Sequence, residues 1–216
     1  MEAPENLFKR LTDGWIALEQ RDAQSPVIEG YGAVFYREGD AGTEYDVFGD
    51  GSLVERIMPG AFDRAVREDD VRSFFNHDPN LILGRRRPGA EDNTLEISTN
   101  ERGLFYRVTP PATRQDVIEA VARGDVNGSS FMFVPQRVTW IEEEDRWIRQ
   151  IEQVQLWEVG PVAFPAYEAT SSELRQAYAE QIRAEFERIR SERQRRRESL
   201  RRRVAARLRA IEVAEG

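Results

Sequence analysis

The chain has no cysteine and only one histidine in 216 residues. The first absence excludes thiol nucleophiles, disulfides and cysteine-ligated metals. The second leaves a poor start for a zinc site, which draws on several His or Cys ligands. Long apolar runs are also missing: no stretch approaches the roughly 18 residues that a spanning helix needs. The start, Met1-Glu2-Ala3-Pro4-Glu5, is acidic and lacks the basic-then-apolar pattern of a secretory signal. A chain without cysteine fits a reducing compartment.

What is present is charge, unevenly spread. From Ser171 to Gly216 there are 13 Arg against 8 Glu, a balance of +5, so residues 1–170 carry −13 of the net −8. A basic tail on an acidic body reads as an interaction segment or one that pairs with the body.

The pattern predicts a β-dominated α+β body to about residue 168, followed by a long charged helix. Strands are expected over 27–36, 45–48, 53–58, 71–77, 81–83, 94–98 and 103–109. A long hairpin is expected from 129–140 and 147–158, turning through Glu142-Glu143-Glu144-Asp145. Helical spacing marks 61–68 and 113–123, the latter stopped by Gly124. Residues 1–26 show no clear period and read as a flexible lead-in, and 160–167 reads as irregular. Arg85-Arg86-Arg87-Pro88-Gly89 reads as a basic turn. After Ser171 there is no Gly or Pro until Gly216, and Leu174, Ala177, Tyr178, Ile182, Phe186 and Ile189 keep three-to-four spacing.

Three segments carry candidate chemistry. His77, in Phe74-Phe75-Asn76-His77-Asp78, is the sole side chain whose unperturbed pKa lies near neutrality. It is either a general base or a strand histidine bonded to a carbonyl. On an extended strand it shares a face with Val71, Ser73 and Phe75, and Asp78 points the other way. In Asn127-Gly128-Ser129-Ser130-Phe131-Met132-Phe133, a serine pair opens an apolar strand: a nucleophile, or a plain turn pair. By period two, Ser130, Met132 and Val134 face one way, and Ser129, Phe131 and Phe133 the other. Glu158, in Leu156-Trp157-Glu158-Val159, is a solvated strand end or the holder of a buried partner.

Taken in order, these segments resemble the caudovirus prohead protease family, together with Ile57-Met58-Pro59-Gly60-Ala61-Phe62, Leu83-Gly84 and Phe164-Pro165-Ala166-Tyr167. The resemblance spans roughly residues 27–170. Met132, where the family often has glycine, and Gly160-Pro161 depart from the pattern. The resemblance implies a serine protease domain over 27–170 with a fold similar to the herpesvirus capsid-maturation proteases, a β-barrel with peripheral helices. It implies Ser130 as nucleophile, His77 as general base and Glu158 as third member, with Asp78 as the rival. No cofactor or metal is expected. The implied task is cleavage of scaffold and major capsid protein precursor segments inside an assembling prohead in the host cytoplasm. Self-processing and self-association go with it.

Residues 171–216 then read as an assembly handle or self-processed segment, or as a solvated helix. Nucleic acid is the lesser partner for Arg195-Arg196-Arg197 and Arg201-Arg202-Arg203, because glutamates dilute the stripe, and no membrane partner is expected. The rival reading of the whole chain is a non-catalytic assembly or scaffolding factor. A glycosidase using paired carboxylates has only acid-rich turns behind it.

Overall fold

A computed structural model of the chain describes residues 8–12, 16–20, 26–163 and 171–215. The chain divides into two compact units, Met1–Gln176 and Ala177–Gly216. The first is strand-rich. Its elements are β1 (Phe8–Thr12), β2 (Ile16–Gln20), β3 (Pro26–Val34), β4 (Glu44–Asp46), β5 (Leu53–Ile57), α1 (Ala65–Glu68), β6 (Val71–Phe74) and β7 (Ile82–Arg86). They continue with β8 (Leu95–Thr99), β9 (Gly103–Val108), α2 (Gln115–Ala122), β10 (Gly128–Glu142) and β11 (Trp147–Val162). The second unit is most of α3 (Ser171–Glu215).

The strands form two sheets. One runs β1-β10-β11-β5-β4, with β6 and β7 branching from β11; the other runs β2-β3-β9-β8. The β10–β11 hairpin is the spine. Strand β11 is 16 residues long and pairs in parallel with two strands in turn: with β5 over Trp147–Ile151, and with β6 at Glu158. In between, its backbone is satisfied by other groups. Val154 N–H donates to the Ala61 carbonyl at 3.1 Å. Leu156 N–H donates to the Asp69 carboxylate at 2.7 Å, and Arg64 pairs with that carboxylate at 2.8 Å.

This fork corrects the expected barrel. Among the described residues no ladder joins the two sheets, and both stay open. β11 spends its second edge on two short strands with a turn-filled gap between them, so the sheet branches rather than curling to closure. The sheets meet by packing instead. A Cβ on Gly32 of β3 would lie 2.3 Å from Val159 Cγ2 of β11. Phe62, Phe131 and Phe133 fill the core, Phe131 stacking on Phe133 at 4.9 Å and meeting Phe62 edge-on at 5.7 Å.

Other expectations shift locally. Residues 8–12 and 16–20 are strands, although their own pattern carries no strand signal; long-range pairing with β10 and β3 supplies it. The helix expected over 61–68 is reduced to α1, and β7 takes in Arg85 and Arg86. Strand β11 runs through Gly160 and Pro161, where an irregular segment is expected from the sequence. No helix among the described residues is long and apolar enough to cross a membrane.

Arg149 and Glu55, paired across β11 and β5, are both fully buried and bridge at 2.5 Å. Truncating one partner strands a charge in the core. Glu55→Ala is therefore expected to destabilise the fold by about 3–5 kcal/mol, read as a lower urea midpoint in chemical denaturation.

Candidate active site

Directly paired residues of an antiparallel hairpin share a face. Ser130 pairs with Gly160, and Met132 with Glu158. Ser130 and Glu158 therefore point to the same side of the β10–β11 hairpin, with Gly160, which has no side chain, between them. The segment that follows β6 settles into that gap.

The His77 turn is built by leaving the strand early. β6 ends at Phe74 rather than running to His77, and Asn76 and His77 both take left-handed backbone angles, φ 54° and 60°. Such angles cost non-glycine residues about 1–3 kcal/mol each and persist where surrounding structure holds them. Asp78 closes the turn: its N–H donates to the Phe75 carbonyl at 3.0 Å, and its carboxylate accepts from the Asn80 N–H at 2.8 Å. Asn76 N–H donates to the Pro161 carbonyl at 3.1 Å, and Asn76 Oδ1 accepts from Ala163 N–H at 2.8 Å. The strand-face argument for His77 and Asp78 is thus overturned, because neither residue lies on a strand.

The turn brings the imidazole between the two hairpin side chains. His77 Nδ1 lies 2.5 Å from Glu158 Oε2, and Nε2 lies 2.7 Å from Ser130 Oγ. Glu158 Oε1 accepts from Phe74 N–H at 3.3 Å. Glu158 is 2% exposed and the His77 ring 6%. A buried carboxylate left ionised is acceptor-only, so the proton between the pair belongs on Nδ1. Nε2 is then free to accept from the Ser130 hydroxyl. This hydrogen-bond chain can pass a proton from the serine oxygen to the imidazole. Asp78, engaged with its own turn, is placed elsewhere.

Ser129 behaves as its strand parity predicts. It turns away from Ser130 to the opposite face, where its hydroxyl lies 3.0 Å from the Tyr106 hydroxyl of β9 in the second sheet. Burial pushes the Tyr106 phenol up; the Ser129 hydrogen bond pulls it down, and the Glu158 charge adds to the rise. Tyr106 therefore stays protonated and ties one sheet to the other behind the site.

The arginine turn does not reach the serine. Arg85 is held by Asp70 at 2.5 Å, Arg86 by the Asp69 carbonyl at 2.8 Å and Arg87 by Asp92 at 2.6 Å. Among the described residues no three of His, Cys, Asp and Glu are gathered to hold a metal ion. A surface cavity of about 260 Å³, lined by Tyr36, Arg37, Glu44, Arg56 and Arg146 among others, includes none of His77, Ser130 and Glu158.

Asn76, Tyr106 and Gly160 are the residues that sequence reasoning passed over. Asn76 carries a usable signal, since asparagine tolerates left-handed backbone. Gly160 is a matter of space: a Cβ there would sit 2.4 Å from the Phe74 carbonyl oxygen and 2.9 Å from Ser73 Oγ. Gly160→Ala must push the β6 end away from β11. We expect a loss of about 1–3 kcal/mol of stability and a displaced His77 resonance, which is unambiguous by NMR in a chain with one histidine.

A family model described as caudovirus prohead serine protease matches residues 16–185. No curated protein and no solved structure matches the chain. The family match covers well over half of the 216 residues and includes all three residues of the hydrogen-bonded chain, and on it this protein belongs to the caudovirus prohead serine protease family.

Proposed function

We propose that this protein is the endopeptidase that cleaves scaffold and capsid-precursor segments during phage prohead maturation, with Ser130, His77 and Glu158 as its catalytic residues. One observation carries the reading: the unbroken chain Glu158–His77–Ser130, at 2.5 and 2.7 Å, in a member of a serine protease family.

The chemistry follows from the atoms. A serine hydroxyl is a weak nucleophile until a base takes its proton. His77 Nε2 accepts that proton as Ser130 Oγ attacks the scissile carbonyl. Glu158 fixes the Nδ1–H tautomer and stabilises the imidazolium that forms. The same imidazolium then protonates the leaving amine, and an acyl-enzyme ester remains on Ser130. Water, deprotonated by His77, attacks that ester and releases the acid. Backbone N–H groups are the donors suited to the developing oxyanion, since all three arginines of the 85–87 turn are engaged elsewhere.

Ser130 has no exposed surface. A peptide reaches it only after the groups above it move, which suits an enzyme that is silent until assembly delivers its substrate. The boundaries in this reading are a protease domain over 27–170 and a charged tail over 171–216 that serves assembly or is itself a cleavage product. The partners are the capsid-protein precursor, its scaffold segment and other copies of the chain, within the prohead in the host cytoplasm.

Incubating the purified protein with its capsid precursor, followed by intact-mass analysis, tests this. Wild type is expected to yield discrete fragments. Ser130→Ala and His77→Ala are expected to lower cleavage by at least about 10³-fold with circular dichroism unchanged. Glu158→Gln is expected to remain folded and slow. Cleavage by Ser130→Ala at the wild-type rate removes Ser130 from its role. Binding of intact precursor by wild type without any cleavage favours the rival assembly-factor reading, for which the long charged helix α3 is the supporting feature.

A further inference from the structure

The bonds that close the His77 turn on itself, Asp78 N–H to the Phe75 carbonyl and Leu81 N–H to the Asp78 carbonyl, engage neither Asn76 nor His77. Two consecutive non-glycine residues in the left-handed region need an external restraint. β6 has ended at Phe74, and the last backbone bond toward the β7 side, Phe75 N–H to the Leu81 carbonyl at 3.0 Å, comes before Asn76 and His77. Besides the His77–Glu158 hydrogen bond itself, Asn76 ties this turn twice to the end of β11 and the residue after it: its N–H to the Pro161 carbonyl, and its side-chain oxygen to the Ala163 N–H. Asparagine is suited to both demands. It tolerates the left-handed backbone, and its amide oxygen stands in for the carbonyl that a continuing strand would have offered.

The acceptor, Pro161, lies near the end of the strand that carries Glu158, and the donor, Ala163, just past it. One stretch of chain, 158–163, therefore holds Glu158 directly and His77 through Asn76. We propose that Asn76 is a positioning residue for the proteolytic reaction: its side chain fastens the His77 turn to the end of β11, so that the imidazole stands between Glu158 and Ser130. The neighbouring Asp78 does not do this, because its carboxylate is used within the turn. The inference rests on the reading of His77 as the base.

Three full-length variants separate the possibilities. Asn76→Gly keeps the left-handed backbone and loses the side-chain bond. Asn76→Asp keeps an acceptor and tolerates the same backbone. Asn76→Ala loses both bond and backbone tolerance. Each is measured by thermal unfolding, by the protection of the His77 Nδ1 proton in NMR, and by the rate of capsid-precursor cleavage.

For Asn76→Gly we expect a Tm close to wild type, a weakened or lost Nδ1 proton signal, and cleavage slowed on the order of 10²-fold. The loss is expected in kcat rather than KM. Asn76→Asp is expected to recover the proton signal and most of the rate. The inference is overturned if Asn76→Gly keeps both the wild-type signal and the wild-type rate. It is equally overturned if losses across the three variants simply follow Tm and Asn76→Asp restores nothing. If wild type itself fails to cleave, the proposed function falls, and the proton signal decides alone: retained in Asn76→Gly, it overturns the positioning role; lost there and restored in Asn76→Asp, it sustains Asn76 as the anchor of His77.

Discussion

A carboxylate with 2% of its surface in water has to be satisfied by the protein around it. Glu158 imposes that condition on everything near it. One oxygen takes the His77 Nδ1–H, the other takes the Phe74 N–H, and so the end of β6 and the turn after it are drawn against β11. The β6 backbone pairs with β11 at the same residue, Arg72 opposite Glu158. Gly160 makes the approach possible, because any side chain there would collide with the Phe74 carbonyl. Remove the buried charge and the turn loses its reason to be where it is; fill the glycine and the turn cannot reach.

The two serines divide the remaining work by parity. Side chains one residue apart on a strand face opposite sides. Ser130 meets the imidazole on one face of the hairpin. Ser129 meets the Tyr106 hydroxyl on the other, linking the first sheet to β9 of the second. A slip of one residue in β10 would exchange these partners, so the Ser129–Tyr106 contact, with the stacked Phe131 and Phe133 on the same face, fixes the register that presents Ser130. The face that meets Tyr106 and the face that meets His77 are thus set by one alternation.

That alternation was legible in the sequence, and so were the hairpin, the charged helix and the three residues that the fold brings together. Each rests on what the sequence itself carries: period two in β10, unbroken helix formers after Ser171, and short motifs in a fixed order. Expectation failed where non-local terms dominate. His77 looked like a strand residue because Val71 to His77 alternates, yet the chain turns at Asn76 to meet a strand more than eighty residues away. β1 and β2 have no pattern of their own and exist through their partners. Gly160-Pro161 looked irregular because both residues weaken strands, whereas here β10 holds them in register opposite Ser130 and Ser129. The closed barrel came from resemblance alone, and the branching of β11 between β5 and β6 is invisible to any local window.

Burial gives the site its strength and its constraint together. Hydrogen bonds among Glu158, His77 and Ser130 are electrostatically stronger in a dry surround than in water. The same burial leaves Ser130 without exposed surface. Glu158, the Asn76 contacts and the Ser129–Tyr106 link all approach from β11, the His77 turn and β9, which form a framework behind and beside the serine. The three residues are thereby held in one geometry from several sides, the condition under which buried polar groups stay fully paired.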